Sequence, residues 1–149
     1  KGIYRYTIES LVDEGEMTAL VKNIKYLPGP QLPQKIAETF EGWIYNNRKL
    51  IKNERFYKYH GINNRSGKAY AWFTNRKYNS ESELRKDLAI REDWGVQIKY
   101  ITEFNVPAGT WVSEGKAAAQ GPGYPGQGYQ AVIIHVPDSW IIRTDKAFK

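Results

Sequence analysis

Apolar positions along the chain change their spacing near residue 50. Before it, Met17, Leu20, Val21 and Ile24 recur at helical spacing, and Ile36, Phe40, Trp43 and Ile44 do so again after Pro28, Pro30 and Pro33 have broken the chain. Two amphipathic helices are predicted there. Beyond it, Phe56-Tyr57-Lys58-Tyr59-His60 and Ala69-Tyr70-Ala71-Trp72-Phe73-Thr74 are aromatic-rich and flank the turn chemistry of Gly61 to Gly67, which predicts two strands joined by a loop. Ser80 with Glu83 three residues on forms a capping box, and Leu84 and Leu88 lie one turn apart, so a helix is expected from Glu81 to Ile90 with Arg85 in its first turns. Val96, Ile98, Tyr100, Thr102 and Phe104 then alternate onto one strand face, before Pro107 and Gly109 turn the chain into Thr110-Trp111-Val112. A last apolar run, Ala131 to Val136, reads as a buried strand. Helices first and strands later describe an α+β domain.

The stretch that says most lies just before that last strand. Gly115-Lys116-Ala117-Ala118-Ala119-Gln120 is followed, after a Pro/Gly-rich turn, by Gly126-Gln127-Gly128-Tyr129-Gln130. Glycines and small residues cost backbone entropy on folding, so a loop built of them implies close approach of something to the main chain. The reading here is a nucleotide, with Gln130 delivered onto the start of the strand. There is no internal repeat, and Gly121 to Gly128 is too short for a linker. Residues 1–149 are therefore taken as a single domain, a helical part over 1–50 and a β-rich core over 51–149.

Composition narrows the chemistry. Lys and Arg total 22 against 16 Asp and Glu, a net charge of +6 that favours anionic partners. With 149 residues, roughly 70% of the unfolded surface can be buried in one core. Cysteine is absent, which excludes disulfides, thiolate nucleophiles and zinc–thiolate sites. No metal site is expected around His60 and His135, which lack Asp/Glu-rich spacing. No apolar stretch of about eighteen residues and no basic-then-apolar leader is present, so the chain is expected to carry no membrane segment and to owe its export to a larger carrier.

The succession Tyr57-Lys58-Tyr59, Gly67 to Thr74, the helix with Arg85, Val106-Pro107-Ala108-Gly109-Thr110, Glu114-Gly115, Ala117-Ala118 and Gly126 to Gln130 resembles the tuberculosis necrotising toxin family over residues 40 to 140. The resemblance implies an ADP-ribosyltransferase-like core of two small, mostly antiparallel sheets. It implies an NAD glycohydrolase, the C-terminal domain of a polymorphic toxin, acting in the cytoplasm of a target cell and neutralised by a dedicated immunity protein. NAD is then a substrate, and no cofactor is needed. On this resemblance the family's Gln falls on Gln130, its helix Arg on Arg85, its first-strand Arg on Lys58 and its second-strand Ser on Thr74. The family's further His has no counterpart, since Val96 and Gln97 stand in that neighbourhood.

Residue chemistry fits such a reaction. Breaking the nicotinamide–ribose bond creates an oxocarbenium-like sugar, and the pyridinium leaving group needs no general acid. A rigid site is required instead. Lys58 and Arg85 are the candidates to grip the pyrophosphate, Trp72 and Phe73 to wall the nicotinamide, and Gln130 to stand beside the ribose. Glu114 is a second candidate at the ribose, and Tyr57, His60 and Thr74 complete the substrate-contacting set. A neutral amide cannot act as a base, which favours hydrolysis over ADP-ribosyl transfer. Transfer stays open, as does a metal-independent ribonuclease using His60 and His135 with the basic run Arg48, Lys49, Lys52, Arg55 and Lys58. A non-catalytic module docking an acidic partner through the basic face is the remaining alternative.

Overall fold

A computed structural model describes residues 28–61 and 69–148; the helical pattern from Met17 to Ile24 and most of the Gly61–Gly67 turn lie outside them. The described elements are α1 (Gln34–Ala37), β1 (Asn46–Lys49), β2 (Glu54–His60), β3 (Tyr70–Phe73), α2 (Glu81–Asp87), β4 (Tyr100–Val106), β5 (Trp111–Lys116), β6 (Tyr129–Ile134) and β7 (Ile141–Lys146), with short 3-10 turns at Glu41–Trp43, Glu92–Trp94 and Asp138–Trp140. The strands form a four-stranded sheet in the order β1-β5-β6-β3 and a three-stranded sheet in the order β2-β4-β7. All pairs are antiparallel. The fold is α+β, as the residue pattern predicts, with the two small antiparallel sheets that the family resemblance implies.

Three aromatic rings join the sheets. Phe73 of β3 meets Phe104 of β4 edge-on at 4.9 Å and Phe56 of β2 at 6.4 Å. Leu50, Val106, Val112, Ala131 and Ile133 complete this core. The strands β2 and β3 belong to different sheets, yet they touch at one antiparallel bridge, Tyr57 to Thr74, where Tyr57 N donates to Thr74 O and Thr74 N to Tyr57 O. At that seam the two aromatic strands expected from sequence part into two layers. A second core, Leu32, Ala37, Phe40, Tyr45 and Val132, covers the opposite face of the four-stranded sheet. Strand β6 is thus covered on both faces, which explains its unbroken apolar run.

Three expectations are corrected. The second helix shrinks to the single turn of α1, because Gly42 (φ 64°) and Trp43 (φ 63°) adopt left-handed backbone and Phe40 instead bridges Ala117. β1 falls inside the part read as helical; its polar Asn46-Asn47-Arg48 hides the strand from a hydrophobicity pattern, and pairing with β5 supplies the order. The strand expected from Val96 begins at Tyr100, leaving Val96 exposed ahead of it.

Helix α2 starts where the capping box predicts, with Glu83 N donating to Ser80 Oγ at 3.1 Å. Leu84 is fully buried against Tyr78 and Ile98. Its far end explains the glycines. Gly126 N donates to Lys86 O and Gly128 N to Asp87 O, both at 2.9 Å, so the turn supplies donors to the helix's final carbonyls. A Cβ at Gly128 would lie 2.9 Å from Asp87 Cβ and from Asp87 O, and one at Gly126 would lie 2.5 Å from Ala117 O. The close approach anticipated for a ligand is made by the protein's own backbone.

Two stability measurements follow. Phe73→Ala should cost roughly 3–5 kcal/mol in chemical denaturation, since it empties the junction of both sheets. Ser80→Ala should cost about 1 kcal/mol by loss of the cap.

Candidate functional site

Gln130 opens β6, and strand alternation sends its side chain away from the intersheet core, onto the face covered by the segment around α1. It is 7% exposed. Its Nε2 donates to Thr39 O at 3.2 Å and to Thr39 Oγ1 at 3.0 Å. Trp72 Nε1 donates to the same hydroxyl at 3.3 Å, so Gln130 and Trp72, far apart in sequence, meet through Thr39. Across the sheet Gln130 pairs with Gly115, where a Cβ would lie 2.9 Å from the Phe40 ring and 3.0 Å from Ile44 O. The glycine lets the covering segment close over the amide.

Along the same face the register runs on. Phe73 pairs with Ala131, which makes Thr74 and Gln130 the next positions, and Thr74 in turn bridges Tyr57. Tyr57 therefore stands two strand spacings, roughly 10 Å, from Gln130. The ammonium of Lys77 lies 5.6 Å from the Tyr57 ring centroid. Thr74 Oγ1 is buried without a well-formed hydrogen bond, next to the Tyr78 phenol. Burial raises the pKa of that phenol, an effect that Arg76, stacked at 3.7 Å from its ring, opposes. Arg76 also pairs with Glu83 at 3.2 Å and Asp87 at 3.1 Å, tying the seam to α2. Sequence reasoning missed Thr39 and Lys77; no local pattern marks either, because their partners come from other strands.

The remaining expected residues lie elsewhere. Phe73 is core. Lys58 points with Phe56 toward the intersheet side; its Nζ donates to Trp72 O at 3.3 Å and lies 5.7 Å from the Phe73 ring centroid. Arg85 is a buried clamp, since its guanidinium donates to Glu81 Oε2 at 2.8 Å, Val96 O at 2.7 Å and Ile90 O at 3.3 Å, holding the chain that leaves α2. His60 has both ring nitrogens engaged, Nδ1 with Gly61 O at 2.7 Å and Nε2 with Thr102 Oγ1 at 2.6 Å. A carbonyl only accepts, so Nδ1 carries a proton. His135 follows β6 in left-handed backbone (φ 55°) and is exposed.

Glu114 faces the other side of the sheet from Gln130, in an ion network at the sheet edge. Arg48 donates through Nε to Glu114 Oε2 at 2.8 Å and through Nη1 to Glu54 Oε2 at 2.7 Å, and the Tyr129 phenol donates to Glu114 Oε1 at 2.5 Å. Hydrogen bonds donated to Glu54 and then to Glu114 keep the Arg48 guanidinium charged. Burial first, and the adjacent Glu114 second, push the Tyr129 phenol well above its ordinary range. Glu114 and Tyr129 border an open pocket of about 700 Å³ lined also by Glu41, Ile44, Lys116 and Gln127. Gln127 closes part of its rim by donating to Glu41. Among the described residues no cluster of His, Asp and Glu could hold a metal ion, and no helix is long and apolar enough to cross a membrane.

No protein-family model matches this chain, and no curated protein sequence matches it. Among solved structures, that of Tne2 in complex with Tni2 is similar in fold, with a TM-score of 0.54 at 10% sequence identity over 69% of this chain and 92% of the matched chain.

The ion network predicts an acid limb of stability. Arg48 holds the Glu54 carboxyl below its usual value. That contribution is present above the ordinary carboxylate pKa and is lost as pH falls through the lower folded value. Glu54→Gln should be less stable than the parent at neutral pH, with the difference closing below about pH 4 in urea titrations run across pH.

Proposed function

We propose that this domain hydrolyses NAD to nicotinamide and ADP-ribose, with Gln130 as the polar group beside the nicotinamide ribose. The observation that carries the reading is the line of residues on one face of the sheet: Gln130 and Trp72 joined at Thr39, then Thr74, Tyr57 and Lys77. An amide, an indole and a cation in sequence over about two strand spacings suit a ribose, an aromatic base and a phosphate group. Lys77 takes the phosphate role in this reading, because Arg85 is spent on Glu81, Ile90 and Val96, and Lys58 points to the intersheet side. Glu114, on the opposite face, keeps the pocket edge together with Arg48.

In this mechanism the bond to nicotinamide lengthens while the pyridinium leaves as a neutral base, and positive charge grows on the ribose. The Gln130 carbonyl oxygen accepts from a ribose hydroxyl and fixes the sugar for attack by water. An amide takes no proton and so cannot activate a protein nucleophile; in this reading water attacks the sugar as nicotinamide leaves, and the proton it loses passes to bulk solvent. The ribonuclease alternative lacks a free first histidine, since both nitrogens of His60 are engaged.

The same reading supplies the biology. The domain is delivered by a larger carrier and acts in the cytoplasm of a target cell by depleting NAD, and a cognate immunity protein protects the producer. The similarity in fold to a structure solved as a two-protein complex, Tne2 with Tni2, supports such a partner. A net charge of +6 suits an acidic surface on it.

The test is nicotinamide release from NAD by the purified chain, with an RNA cleavage assay on the same sample. Release without RNA cleavage is expected. Gln130→Ala should lower kcat on the order of 10²- to 10³-fold, and Lys77→Ala should raise KM more than it lowers kcat. RNA cleavage without nicotinamide release sinks the proposal, and undiminished release by Gln130→Ala removes Gln130 from the site.

A further inference from the structure

We infer that Thr39 is a positioning residue that fixes the polarity of the Gln130 side chain, amide hydrogens inward and carbonyl oxygen outward, and that this position therefore accepts an amide and rejects a carboxylate. Its bearing on the reaction rests on the reading of Gln130 given above; the polarity itself follows from hydrogen-bond accounting.

Thr39 presents acceptors only. Its hydroxyl donates its proton to Ile36 O at 2.7 Å. An indole nitrogen can only donate, so the hydroxyl accepts from Trp72 Nε1, which agrees with its proton being spent elsewhere. Its remaining lone pair and the Thr39 carbonyl both face Gln130. That carbonyl also accepts from Ala118 N at 2.9 Å, so the small-residue run holds Thr39 in place. Two acceptors confront one side chain, and only an NH₂ group satisfies both. Among the described residues no donor reaches Gln130 Oε1, which is left to accept from a hydroxyl, a water or another donor on a ligand.

A carboxylate in the same place would set its charge against two lone-pair donors in a site 7% exposed. It could remain only by holding a proton and donating it to Thr39. The position thereby disfavours a general base, and a glutamate substituted there would keep its proton to a higher pH than an ordinary one. The group that meets Gln130 must bring its own hydrogen.

The test is made on the full chain. In Gln130→Glu, carbon-13 NMR of the new carboxyl should give a titration at least one pH unit above the ordinary Glu value of about 4.3. Its folded pKa being raised, stability relative to the parent should fall as pH rises through the unfolded value toward the folded one. A variant that folds at pH 5 and unfolds at pH 7.5 is the same result in stronger form; titration at the ordinary value overturns the inference. Should the variant fold at no pH, the side-chain amide signals of Gln130 decide: Thr39→Val should shift them and speed their exchange with solvent, whereas Thr39→Ser keeps them. Signals unmoved by Thr39→Val overturn the inference. Nicotinamide release by the unsubstituted chain is read separately, so a raised carboxyl without release removes the NAD reading alone, and release with an ordinary carboxyl removes the polarity lock alone.

Discussion

Thr39 is the tie on which the candidate face depends. Its carbonyl accepts from Ala118 and Gln130, its hydroxyl from Gln130 and Trp72, and its proton goes to Ile36. One residue thus links the α1 segment, β3, β6 and the small-residue run after β5. A threonine inside a helical-looking stretch carries no signal in sequence, yet its polar atoms are fully used. That use is what buries an amide at the start of a hydrophobic strand without cost from unpaired groups.

The same economy governs the glycines. Gly115, Gly126 and Gly128 are each required by a neighbouring protein atom within 3 Å of where a Cβ would be. They bring the covering segment onto Gln130 and the β6 turn onto the end of α2. Any ligand therefore meets side chains held by this packing, with the glycine backbone already engaged.

Charge is arranged with a similar division. Arg48, Arg76, Arg85 and Arg91 are bound to carboxylates and carbonyls, so these four cations are already engaged within the fold. Lys77, exposed over Tyr57, is a cation set beside the aromatic seam by the geometry of the two sheets. Net charge alone does not separate such a lysine from a clamp such as Arg85.

What the sequence determined by itself was local. The Ser80–Glu83 cap, the aromatic runs of β2 and β3, the burial of β6 and the opposite facing of Trp72 and Phe73 depend on propensity, capping and alternation, all encoded within a few residues. The α+β class and the place of Gln130 at the head of a buried strand were legible for the same reason. Tertiary structure alone decided that β2 and β3 part into different sheets, that β1 forms from polar residues by pairing with β5, and that Arg85 and Glu114 turn away from Gln130. Except for Arg85, whose partners lie within eleven residues, each of those outcomes rests on a partner dozens of residues distant, and hydrogen bonds and ion pairs between such partners leave no period in the chain for a pattern to detect.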